Sequence, residues 1–150
     1  VAIVATAAVA QQKAQDRTVM ITSSDRAMES AIRQAKETLD DFLKVVAAPP
    51  KGASGFKVKV RIDDSGETEH IWVTPFRRTK DGFEGIISNE PELVHSVKYG
   101  QMYRFTRASI TDWGYELNGK QKGSFTVCVM FTQMPKAEAD SYRKDYGFEC

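Results

Sequence analysis

Ser109-Ile110-Thr111-Asp112-Trp113-Gly114-Tyr115-Glu116-Leu117-Asn118-Gly119-Lys120 is the stretch whose reading decides the fold. Asn and Gly tolerate the φ > 0 that both central residues of a type I′ turn demand. Asn118-Gly119 is therefore predicted to join a strand ending at Leu117 to the next strand, Ser124 to Phe131. Along the first of these strands Trp113 and Tyr115 share one face, while Asp112 and Gly114 share the other. An apolar wall and a small polar spot are thus expected back to back, and the polar spot is the first candidate site.

Moving toward the N-terminus, Met102 to Thr106 reads as a strand, Gly100 as a turn, and Leu93 to Tyr99 as a short helix or an irregular segment. Asn89-Glu90-Pro91-Glu92 breaks the pattern after a strand over Phe83 to Ser88, which Asp81-Gly82 introduces and Pro75 separates from the strand before it. Phe56-Lys57-Val58-Lys59-Val60-Arg61-Ile62 alternates strictly, the mark of a strand with one buried and one polar face. Asp63-Asp64-Ser65-Gly66 turns the chain. With Ile62 opposite Glu67, Val58 meets Ile71 and Phe56 meets Val73 on the core face, while Lys59 faces His70 and Lys57 faces Trp72 behind. A slip of one residue would exchange the two faces.

Met28, Ile32, Ala35, Leu39, Phe42, Leu43 and Val46 recur at spacings of three and four, which predicts a long amphipathic helix. Side-chain oxygens at Thr22 to Asp25 suit its start, and Pro49-Pro50 ends it. Lys136 to Tyr146 reads as a second helix, with Pro135 before it and Gly147 after it. No helix interrupts the strands, so parallel βαβ units are excluded. The expected class is α+β: a long N-terminal amphipathic helix packed on a curved antiparallel sheet of five to seven strands, with a short C-terminal helix.

At 150 residues the chain suits one domain. Lys plus Arg number 21 against 20 Asp plus Glu, so no electrostatic footprint for nucleic acid is visible, and nucleic acid is not expected as a partner. Val1 to Ala10 is apolar and ends Ala8-Val9-Ala10, a pattern read as a signal-peptide remnant over residues 1–10, with a flexible leader over residues 11–22 and the domain over residues 23–150. Ten apolar residues are too few to span a bilayer, so no membrane span is expected in the mature protein. The competing reading of this run is an ordinary apolar strand or chain end. Export to a periplasmic or extracellular space would allow Cys128 and Cys150 to pair; two free thiols are the alternative.

The two histidines, His70 and His95, lie outside any zinc-type spacing, and no metal site or cofactor is expected. Neither a nucleophile elbow, a P-loop nor a dinucleotide fingerprint occurs, so no catalytic residue is assigned. His70 reads either as a general base oriented by Asp112 or Asp63, or as a cross-strand partner of Lys59. Trp72, Trp113, Tyr103 and Tyr115 suit a ligand groove and equally suit a core.

The Glu69-His70-Ile71-Trp72-Val73 strand, Gly85, Asn89-Glu90-Pro91, Gly100 and Ile110-Thr111-Asp112-Trp113-Gly114-Tyr115 resemble the YegJ-like family of bacterial proteins, a domain of unknown function, DUF2314. The resemblance runs from about Asp25 to Met134 and implies no established chemistry. The functional expectation is a non-catalytic binding or interaction module of the periplasm, which presents loops around Asn89-Pro91 and Asp112 to an unknown protein or small-molecule partner. The binding candidates are His70, Trp72, Asn89, Pro91, Asp112, Trp113 and Tyr115. Two other readings stay open: a small hydrolase using His70 or His95 with Asp112, and an inhibitor or immunity-type protein.

Overall fold

The computed structural model of the chain describes residues 3–150, with side chains from Asp25 onward. The signal-peptide and leader expectations for residues 1–22 therefore fall on side chains outside the described residues. Helix α1 is Ile3–Ala47, so its backbone runs through Thr22 to Asp25 rather than starting there. No Gly or Pro occurs before Pro49, and that stretch gives a helix no reason to stop. From Asp25 on, α1 buries Ala35, Leu39, Phe42 and Leu43 of the predicted face and Ala31 beside it, while Met28, Ile32 and Val46 are half-buried.

The strands are β1 (Ala53–Asp64), β2 (Glu67–Arg78), β3 (Phe83–Ile87), β4 (Met102–Phe105), β5 (Ile110–Leu117) and β6 (Lys120–Gly123). They form one open antiparallel sheet in the order β4-β3-β2-β1-β5-β6. Together with α1 and two short helices near the C-terminus, the fold is α+β. Leu93 to Tyr99 is irregular, which settles the alternative of a short helix there.

The β1–β2 register differs from the expected one. Val58 pairs with Val73, Lys59 with Trp72, and Ile62 with Glu69. The reason is a tighter turn: Ser65 (φ 51°) and Gly66 (φ 84°) make a two-residue hairpin loop, so Asp64 pairs with Glu67. The shift is two residues, an even number, and the faces predicted for Lys59, His70 and Trp72 are preserved. Pro75 lies inside β2, where pairing with β3 skips from Val73–Ile87 to Phe76–Gly85. A Cβ on Gly85 would lie 2.5 Å from Val73 Cγ1 and 2.6 Å from Pro75 O, so only glycine fits beside this irregularity.

Asn118 (φ 50°) and Gly119 (φ 79°) turn β5 into β6. The expected strand from Ser124 to Phe131 is instead helix α2 (Phe125–Phe131). Gly123 (φ 72°) and Ser124 (φ 54°) are both left-handed, which ends the strand, and the Asp112 carboxylate accepts from Phe125 N (3.2 Å) and Thr126 N (2.9 Å). A cap from another strand thus outweighs the β preference of Val127 and Val129. Helix α3 (Lys136–Tyr146) closes on Gly147 (φ 75°), whose carbonyl accepts from Gln121 N at 3.0 Å and brings the tail back to β6. Cys128 of α2 is bonded to Cys150, with the Cα atoms 5.8 Å apart.

Candidate functional site

The polar face of β1, β2 and β5 carries Lys57 and Lys59, His70 and Trp72, and Asp112 and Gly114. In the observed register Lys59 stands between Trp72 on β2 and Asp112 on β5. The ammonium groups of Lys57 and Lys59 lie 4.4 and 4.7 Å from the centre of the Trp72 ring, at cation–π distance. α2 brings Thr126 onto this face. Its hydroxyl accepts from Lys59 Nζ (2.7 Å) and donates to Asp112 Oδ2 (2.5 Å), so ammonium and carboxylate are joined through a hydroxyl. Asp112, with 0 % of its area exposed, also accepts from Trp113 N (2.9 Å) as well as from the two α2 amides, which uses both oxygens twice. Glycine at 114 is what lets α2 come this close: a Cβ there would sit 2.6 Å from Ser124 Oγ and 3.2 Å from Lys57 Cε.

Burial lowers the pKa of Lys59, against the Asp112 charge that raises it, and the Lys57 charge adds to the lowering. Burial raises Asp112, against its bonds from Thr126 and the Lys59 charge. Lys57 is likewise lowered by burial, against Asp112. A cavity of about 250 Å³ opens beside Lys59, lined by Met28 and Ile32 of α1, Lys59, His70, and Thr126 and Met130 of α2. His70 Nδ1 bonds Thr111 Oγ1 at 2.9 Å. His70 is exposed as a whole residue, yet desolvation of the ring's inner side lowers its pKa; Lys59, Arg61 and Lys36 add to this, and Asp63 opposes it. A wider groove of about 450 Å³ lies over Arg77, Lys80 and Arg104, but Arg77 and Arg104 both spend their charge on the buried Glu84.

The family model described as "Uncharacterized protein conserved in bacteria (DUF2314)" matches residues 25–150. The chain belongs to this family. It is 38% identical over 118 residues to uncharacterized protein YegJ of Escherichia coli (strain K12), covering 79% of this chain and 76% of that protein. It is 28% identical over 96 residues to the putative ankyrin repeat protein NMB1133/NMB1171 of Neisseria meningitidis serogroup B, covering 61% of this chain and 38% of that protein. No solved structure matches it at a significant level. The DUF2314 span contains every described residue that lines the cavity, from Met28 to Met130, and both cysteines.

Within this DUF2314 domain the sequence candidates divide. Trp113 is 9 % exposed and stacks on Phe42 with ring centres 4.8 Å apart, while its indole N–H donates to Ala35 O and Thr38 Oγ1. Tyr115 continues the same wall, 5.1 Å from Phe56 between ring centres. Trp113 belongs to the core, and Tyr115, half-buried, packs against it on the face that α1 covers. Asn89 is exposed, and its Oδ1 accepts from Trp72 N at 2.8 Å, so its amide oxygen is used to hold β2. Pro91 is half-buried and opens a segment whose amides turn inward: Glu69 accepts from Glu92, Leu93 and Val94 N, and Asp64 from His95 and Ser96 N. Asp112 is buried and is not presented to a partner. Among the described residues, neither histidine is hydrogen-bonded to Asp112.

His70 and Trp72 do come together, with Lys57 and Lys59, named in the sequence reading only as their strand neighbours, and with Thr126; in the observed register the strand partner of His70 is Arg61, and Lys59 pairs with Trp72. The alternation of β1 already placed both lysines on the His70 and Trp72 face. Thr126 and Met130 carried no such signal, because a strand there would have pointed them elsewhere. Among the described residues no three His, Cys, Asp or Glu side chains gather as a metal site, and no helix is long and apolar enough to cross a membrane.

Proposed function

We propose that this protein is a non-catalytic binding module, exported to the periplasm or beyond, and that it takes its partner at the polar face around Lys59, His70 and Trp72. The observation that carries the reading is the cavity with a buried ammonium at its wall. Among the described residues Lys59 has one hydrogen-bond acceptor, Thr126 Oγ1, for its three N–H donors, and besides the Trp72 ring beside it the ammonium has donor capacity to offer a guest. The hydrolase alternative needs a carboxylate to orient a histidine, and Asp112 already serves four donors of β5 and α2. Export is supported by Ala8-Val9-Ala10 and by the paired cysteines, which persist in oxidising compartments.

A thermal-shift panel of small molecules and peptides tests the binding reading. A stabilising compound whose effect disappears in Lys59→Met is expected. Turnover on an esterase or peptidase panel that vanishes in His70→Ala, with the fold intact, would sink it. Intact mass of protein secreted from the full-length gene tests export, with a mature start at or near Gln11 expected.

A further inference from the structure

The geometry points to a small monocarboxylate with a short apolar tail as the ligand of the cavity between α1, α2 and the sheet. The inference rests on the binding-module reading and names the chemistry of its guest.

The cavity is lined by two kinds of side chain. Met28, Ile32 and Met130 supply apolar wall, and Lys59 with His70 supplies polar wall. Lys59 is 8 % exposed, so its charge acts where water screens little, and Thr126 uses one of its donors. His70 Nδ1 is engaged by Thr111 Oγ1 at 2.9 Å, and in the tautomer in which that hydroxyl donates to Nδ1, Nε2–H is a ring donor with no partner among the described residues. Around this face Lys57, Lys59, Arg61 and Lys36 stand against Asp112, which is joined to Lys59 through Thr126, and Asp63. The excess is positive, and an anionic head is what it attracts.

A carboxylate fits this polar wall better than a phosphate. Phosphate sites draw on a fork of guanidinium donors or a run of backbone N–H groups. Here the donors are one ammonium and one imidazole, which match two oxygens and a single charge. The apolar wall excludes a second charged group on the guest. About 250 Å³ is the liquid-volume share of roughly eight waters, which leaves room for a carboxylate and a tail of about five carbons. Hexanoate is therefore the probe, with acetate lacking the tail and hexylamine inverting the charge.

Calorimetric titration of the folded protein at neutral pH decides the matter. Hexanoate is expected to bind at one saturable site, acetate to bind at least about tenfold more weakly, and hexylamine not to bind. Lys59→Met should weaken hexanoate at least about tenfold by removing the charge, and Met130→Trp should do the same by filling the space beside the apolar wall. Met130 is 48 % exposed, so its replacement keeps the test open if Lys59→Met fails to fold. Absence of hexanoate binding, equal binding of hexylamine, or hexanoate binding unchanged in Met130→Trp would each overturn the inference. A neutral or cationic compound that binds wild type and is lost in Met130→Trp would overturn the carboxylate assignment while leaving the binding module standing. Hydrolysis dependent on His70 would remove both.

Discussion

Asp112 and Trp113 are neighbours in sequence and opposites in use, because consecutive strand residues face opposite ways. Trp113 fills the space between α1 and the sheet, and its N–H is satisfied by Ala35 and Thr38. Trp113→Ala should cost about 3–5 kcal/mol in urea melts, and a loss below about 1 kcal/mol would mean that the ring is not a core anchor. Asp112 caps α2 and faces Lys59 through Thr126. Asp112→Ala leaves a buried ammonium and two α2 amides without their carboxylate, and should cost about 3–5 kcal/mol. Thr126→Val keeps the shape and removes only the hydroxyl between the charges; about 1–3 kcal/mol is expected in the same melts. If Thr126→Val is neutral, the hydroxyl bridge contributes nothing to the site.

At the scale of elements, α2 and the segment from Ser88 to Gln101 are both held by carboxylates from strands. The segment has no ladder of its own beyond its ends, and its amides close on Glu69 and Asp64. Burial pushes Glu69 up, but the bonds from Glu92, Leu93 and Val94 together bring it below its ordinary 4.5. The His95 amide and the Ser65 hydroxyl bring Asp64 below its ordinary 3.8, against a smaller effect of burial, with the Ser96 amide adding to the lowering. Both folded-state values are depressed, so this stabilisation is present above the ordinary values and is lost as pH falls through the lower folded ones. Amide exchange should therefore show protection at residues 92–96 near pH 7 that falls selectively below about pH 4. Glu69→Gln should lower that protection at pH 7 and flatten its pH dependence. Protection that stays uniform across this pH range would mean the carboxylates do not hold the segment.

Over the whole molecule, the Cys128–Cys150 bond joins α2, and with it the roof of the cavity, to a tail that Gly147 already ties to β6. The sequence separation is 22, and closing a loop of that size restricts the unfolded chain by roughly 3 kcal/mol. Reduction, or Cys150→Ser, should lower stability by about that amount, and thiol counting on unreduced, denatured protein should find no free thiol. The sequence alone determined the face of α1 from Met28 to Val46, the alternation that set Lys57, Lys59, His70 and Trp72 opposite the core, the Asn118-Gly119 turn, and the bounds of α3. These follow from local periodicity and turn chemistry, which each segment carries within itself. The β1–β2 register depended on whether two or four residues made the turn, and the even difference moved partners without moving faces. Tertiary structure alone decided that Ser124 to Phe131 is a helix, because its cap is a carboxylate on another strand, and hence that Thr126 and Met130 meet Lys59 and His70. Val127 and Val129 signalled a strand by their own preference; the buried charge of Asp112, reachable only in the folded chain, supplied the larger opposing term.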